Sequence, residues 1–182
     1  QSYMRDQKYE EAQKLLDKIP PVGFDNRITQ VQLYSEQGDF EAALKEMEGM
    51  LYQSSSGLIS NALHMVSLLC KQEKYEDALK YANRISKVAS LFELGDYAGT
   101  SSYFMIYVEM GNKELAMDAM EQMMNGYDTI REPKNSELYQ HMKFNKDDGL
   151  EKMKSLLLKS FDSDPRLDFL REEPRYQQLC SK

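Results

Sequence analysis

The chain has 182 residues, 41% hydrophobic and 29% charged, which suits one ordinary domain or a short helical array with much surface and no single large core. Its 23 basic and 30 acidic residues leave a net charge of −7, which argues against direct contact with nucleic acid. No apolar run approaches ~18 residues, and the N-terminus lacks the basic, apolar and small-residue series of a secretory leader. Cys70 and Cys180 have no metal-ligand spacing and read as reduced thiols, so a cytoplasmic chain is expected.

In chain order, residues 1–6 read as the last turn of a helix whose start lies upstream, because Tyr3 precedes Ala12 as Tyr34, Leu69 and Tyr107 precede later alanines. The chain is therefore expected to be an excised fragment. Tyr9, Ala12 and Leu16 share one helical face, and Pro20-Pro21 is expected to end that helix. A second pair is expected from about Asp25, with Val31 and Tyr34 on the packed side of its first helix. Gly38 supplies a left-handed stop and Asp39 a helix-start side chain. Phe40, Ala43, Leu44 and Met47 form the apolar stripe of the partner helix.

Ser54-Ser55-Ser56-Gly57 is a loop by composition. A third pair follows, with Ala62, Met65, Val66 and Leu69, then Tyr75, Ala78, Leu79 and Ala82. Its turn carries Glu73-Lys74, so an ordinary turn without glycine is expected there. Ser86 to Glu93 reads as a lengthened link. Thr100, Tyr103, Phe104 and Tyr107 mark the fourth pair's first helix, Gly111-Asn112 its break, and Ala116, Met117, Met120 and Met123 its second helix, closed by Glu132-Pro133. Ser136 to Phe144 forms a short helix and Asp147 to Phe161 a longer one. Asp164-Pro165 and Glu173-Pro174 each read as an acidic cap with proline at the first helical position.

The turn sequence Gly38-Asp39-Phe40-Glu41-Ala42-Ala43-Leu44 recurs with drift at Gln7 to Ala12, Glu73 to Leu79 and Gly111 to Met117. The marker alanines, Ala12, Ala43, Ala78 and Ala116, stand 31, 35 and 38 residues apart. These positions resemble the tetratricopeptide repeat (TPR) family, whose unit is a helix pair of about 34 residues. The resemblance covers residues 1–133 as one half repeat and three full ones. It implies an all-α, right-handed α-solenoid of stacked antiparallel helix pairs, with residues 134–182 as a helical C-terminal cap. Lys113 departs from the aromatic expected at its turn. Leu170-Arg171-Glu172-Glu173-Pro174-Arg175-Tyr176 is similar to the tail that follows the last repeat in many bacterial TPR proteins, including helix-turn-helix regulators.

In such arrays the first helix of each pair lines a concave face. The matching positions are Ile28, Gln32 and Ser35; Leu63, Ser67 and Cys70; and Ser101, Met105 and Val108. None is basic or Asn, so the carboxylate-gripping role of one TPR subset is not expected. The composition implies a peptide or protein partner with apolar anchors, and a homodimer is compatible with it. The methionines suit adaptable packing, with Met117, Met120 and Met123 read as filling gaps between helices.

No catalytic residues, metal ligands or cofactor site are expected. His64 and His141 are isolated, and Gly95, Gly99 and Gly111 form no phosphate loop. Glu10-Glu11, Asp147-Asp148 and Glu172-Glu173 are neighbours that do not share a helix face, and read as solvated helix starts. The expected role is a non-catalytic peptide-binding module, the ligand-sensing or interaction part of a larger bacterial transcription regulator. An assembly scaffold or adaptor, or a regulatory domain attached to an enzyme, are the alternatives.

Overall fold

Helix formers at helical spacing become helices, and the described residues contain no strand. A computed structural model describes residues 8–18, 26–144 and 149–180. Expectations for residues 1–6, Pro20-Pro21, the Asp25 start and Asp147-Asp148 lie outside these. The elements are α1 (Tyr9–Leu16), α2 (Arg27–Glu36), α3 (Phe40–Lys71), α4 (Tyr75–Leu91), α5 (Asp96–Glu109), α6 (Lys113–Asn125), α7 (Leu150–Ser163) and α8 (Pro174–Cys180). Three 3₁₀ segments, Tyr127–Lys134, Glu137–Tyr139 and Pro165–Leu170, join them. No described helix is long and apolar enough to cross a membrane.

The repeat spacing located buried positions well. Ala12, Ala43, Ala78 and Ala116 are all buried, the last two completely. A methyl side chain at these points lets a neighbouring backbone approach closely. Asp39 accepts a hydrogen bond from the Ala42 amide at 3.1 Å, and Asn112 caps Leu115 in the same way at 3.2 Å. Met117, Met120 and Met123 are buried, so they fill the interior.

Four expectations are corrected. Ser54 to Gly57 is not a loop, because α3 runs unbroken for 32 residues from Phe40 to Lys71. Three serines and a glycine cost a helix roughly 2 kcal/mol against alanine, yet no proline interrupts the stretch and burial of Ser55 and Ile59 favours continuation. The expected stripe also faces the other way. Phe40, Leu44 and Met47 are exposed, Met65 further along is exposed too, and Ala43 beside them is buried. Ser86 to Glu93 is mostly helix, since Ile85 and Ala89 continue the buried face of α4 to its end at Leu91. Finally, α6 ends at Asn125, and Pro133 sits inside a 3₁₀ segment rather than terminating the helix.

The turn after α3 is also not an ordinary one. Glu73 adopts φ +58°, with Glu73 N–H to Cys70 O at 2.8 Å and Lys74 N–H to Leu69 O at 3.0 Å. The same two bonds close the turns at Gly38 and Gly111. A side chain in the left-handed region costs about 1 kcal/mol, so Glu73→Gly should raise the melting midpoint by about 2–4 °C. A lowered midpoint in a thermal melt would show that Glu73 makes compensating contacts.

Packing divides the chain into two units, Gln1–Ser54 with Ser136–Phe144 and Ser55–Asn135 with Asn145–Lys182. In the first, Ala12 and Leu16 of α1 meet Leu33 of α2, with Tyr9 at the edge. Also in the first unit, Tyr52 stands edge-on to Tyr139 and Phe144, at ring separations of 5.5 and 5.9 Å. The second unit is built on α4 against α5 and α5 against α6. Gly95, at φ +89°, begins α5 where a Cβ would lie 2.3 Å from the Thr129 carbonyl oxygen, so only glycine admits the Tyr127–Lys134 segment there. The C-terminal elements close the far end of this core, with Phe161, Leu167, Leu170 and Tyr176 packed among Phe104, Met117 and Met120.

Candidate interaction surface

The nine residues marked by the repeat pattern divide between the units. Ile28, Gln32 and Ser35 are exposed on α2 in the first. In the second, Leu63, Ser67, Ser101 and Met105 are half-buried, whereas Cys70 and Val108 are core residues. A side chain inside the core cannot touch a partner, which removes those two from any binding surface.

The second unit carries a different concavity that the repeat pattern did not mark. Leu58, Ile59 and Ala62 of α3 face Tyr81, Arg84, Ile85, Lys87 and Val88 of α4 across an open groove of about 340 Å³. Leu58, Ile59, Ala62, Ile85 and Val88 give it apolar walls. Arg84 and Lys87 are exposed and, among the described residues, hold no carboxylate in an ion pair. The Arg84 guanidinium stands 5.6 Å from the centre of the Tyr81 ring, which holds the cation near the groove. A link over Ser86 to Glu93 would take Lys87 and Val88 out of this site. The signal was there in Ala78, Ala82, Ile85 and Ala89, whose helical spacing runs on through the stretch.

A second cavity, about 540 Å³, lies between Met124, Lys154, Leu158, Asp162 and Cys180. Its Glu151, Lys154, Lys159 and Asp162 mix both signs, so it offers no charge preference. No cluster of three His, Cys, Asp or Glu able to hold a metal occurs among the described residues. His64 is exposed. His141 is bound to Glu48 twice, through its ring Nδ1 at 2.5 Å and its backbone N–H at 2.8 Å, which anchors the Ser136–Phe144 segment within the first unit. Both thiols are free; Cys70 is buried, and burial pushes each thiol above its ordinary value.

Arginines tie the C-terminal tail down. Arg175 forks onto Glu121 at 2.8 and 2.6 Å and reaches Asp118 at 2.6 Å, all from α8 to α6. Arg166 bridges Asp164 at 2.7 Å and Glu109 at 2.9 Å. Hydrogen bonds from these guanidiniums hold the Glu121 and Asp164 carboxyls below the usual carboxylate range. Their contribution to stability is present above the ordinary values of 4.5 and 3.8 and is lost as pH falls through the lower folded values. The melting midpoint should therefore not change on account of these two groups between about pH 7 and pH 5, where their contribution is complete, and should drop below about pH 4. Asp164→Asn with Glu121→Gln should flatten that drop, measured by circular dichroism melts across pH.

No protein-family model, curated protein or solved structure matches this chain.

Proposed function

We propose that the chain is a non-catalytic interaction module of the TPR kind, built of antiparallel helix pairs and closed by the C-terminal tail, and that the unbroken α3 departs from the right-handed solenoid, which needs a turn between successive pairs. Its partner is an amphipathic protein segment with apolar anchors and carboxylates beside them. The groove between α3 and α4 carries this reading, because apolar walls meet two cations that hold no carboxylate among the described residues, in a chain whose net charge is −7. Local positive charge on an acidic protein selects acidic segments and repels basic ones. Such a module belongs to a larger bacterial cytoplasmic regulatory protein, sensing a peptide rather than touching nucleic acid itself.

The test is a fluorescence titration with a labelled helical peptide bearing leucines on one face and glutamates on its flanks. Binding should weaken at least about tenfold in Arg84→Glu with Lys87→Glu and weaken steeply with salt. Val88→Asp should remove it. Ser67→Glu and Met105→Glu alter the face marked by the repeat pattern and should leave it unchanged. Binding lost in those two variants but kept in the Arg84 and Lys87 pair would move the segment to that other face and overturn the groove assignment.

A further inference from the structure

The groove in the second unit has two unlike rims. Ile59 and Ile85 are buried and form its floor. On the α3 side the exposed residue is Leu58, 55% accessible, with Ala62 one turn on. On the α4 side Arg84 and Lys87 are exposed, about 4.5 Å apart along the helix axis. Their spacing of three residues puts both on one side of α4. The asymmetry extends past the lining. Residues 55–70 of α3 include no lysine or arginine, and His64 stands two residues from Ala62, off the groove's face. Neither residues 55–70 nor residues 78–91 include an aspartate or glutamate, in a chain with 30 acidic residues. Among the described residues that line the groove, charge is therefore positive and confined to the α4 wall.

We infer that the groove takes a helix whose carboxylates lie along one flank, and that this one-sided charge fixes the direction in which the helix seats. This rests on the interaction-module reading and narrows its partner. A helix turned end for end in the groove keeps its apolar face on the floor and exchanges its flanks. With carboxylates on one flank, one direction sets them against Arg84 and Lys87. The other sets them beside Leu58, away from both cations. Two exposed ion pairs favour the first direction by about tenfold. The Tyr81 ring, 5.6 Å from the Arg84 guanidinium, helps to keep that cation on its own wall. A helix with carboxylates on both flanks meets the cations either way, so it has no preferred direction. Direction decides which end of the partner leaves at each end of the groove, and so what the rest of the partner meets.

Two helical peptides of one composition test this. Each carries leucines on one face and a nitroxide at its N-terminus, with all glutamates on the left flank in one and on the right flank in the other. Broadening of the whole chain's amide signals in nuclear magnetic resonance spectra reports where the nitroxide lies. One peptide should broaden signals at the Tyr75 end of α4, and the other those at the Leu91 end. A third peptide with glutamates on both flanks should broaden both ends. In Arg84→Gln with Lys87→Gln, the one-flank peptides should bind about tenfold more weakly and lose their opposite directions. Both one-flank peptides marking the same end, each marking both ends, or opposite directions kept in the double variant would overturn this inference. Binding is intact in all three of those cases, so the groove reading would stand. No binding by any of the three peptides would overturn both.

Discussion

Gly57→Pro should lower the melting midpoint by about 6–12 °C. The residue lies in the interior of α3, a 32-residue helix. Proline there removes one backbone hydrogen bond and drives its ring against the preceding turn, at a cost of about 3 kcal/mol or more. For a chain of this size each kcal/mol moves the midpoint by about 2–4 °C. The opposite change is as informative. A Cβ at Gly57 would meet nothing within 4 Å, so Gly57→Ala should stabilise by about 1 kcal/mol through helix propensity. A Gly57→Pro variant with unchanged midpoint and helical signal would mean that the chain bends at Ser54 to Gly57.

Leu170→Ala should cost about 2–5 kcal/mol, the range for emptying a fully buried leucine site. Leu170 has no exposed surface and sits in the 3₁₀ segment Pro165–Leu170, packed with the cluster that holds Phe104, Met117, Met120 and Tyr176. Removing it opens a cavity where the tail meets α5 and α6, and the ion pairs of Arg175 then hold a tail that no longer seals the core. Leu156→Ala is the control, because Leu156 on α7 is more than half exposed and a surface change there stays within about 0.5 kcal/mol. Chemical denaturation of the two variants separates these values. Equal small losses would show that the tail rests on the core without stabilising it.

The Leu170 to Tyr176 motif gains a physical meaning from these contacts. Leu170 and Tyr176 enter the core, Arg175 clamps α6, and the Arg171 side chain donates to the Asp162 carbonyl at 2.7 Å. Asp164 caps the segment by accepting from the Arg166 amide at 3.0 Å, with proline at its first position, as the acidic residue before Pro165 suggests. Burial also pushes the Tyr176 phenol well above its ordinary value, which favours the neutral ring in the folded chain. Its stabilising effect is complete below the ordinary tyrosine value near 10 and is lost as pH rises beyond it.

Local rules read some features correctly and misread others for the same reason. A cap, a left-handed glycine or a buried alanine depends on a few neighbouring residues, and Asp39, Gly38 and Ala78 were all legible. Ser54 to Gly57 satisfies every local criterion for a loop, yet propensity there is worth only roughly 2 kcal/mol, less than the burial of Ser55 and Ile59 with their flanking turns can offset. Glu73 carries no left-handed signal at all. The turn geometry is imposed on it by the helices on either side, which is why its cost was invisible. The pairing of Glu48 with His141 spans 93 residues, beyond the reach of any periodicity.

Sequence by itself determined that this chain is helical, where its small buried crossings fall, and that its surface is acidic. These follow from backbone propensity, short-range spacing and charge count. Only the tertiary structure decided that α3 continues through its serines, which of its faces is covered, and that Arg84 and Lys87 border an apolar groove. Those outcomes depend on which surfaces meet at a distance along the chain, where burial outweighs the weak local preference of each residue.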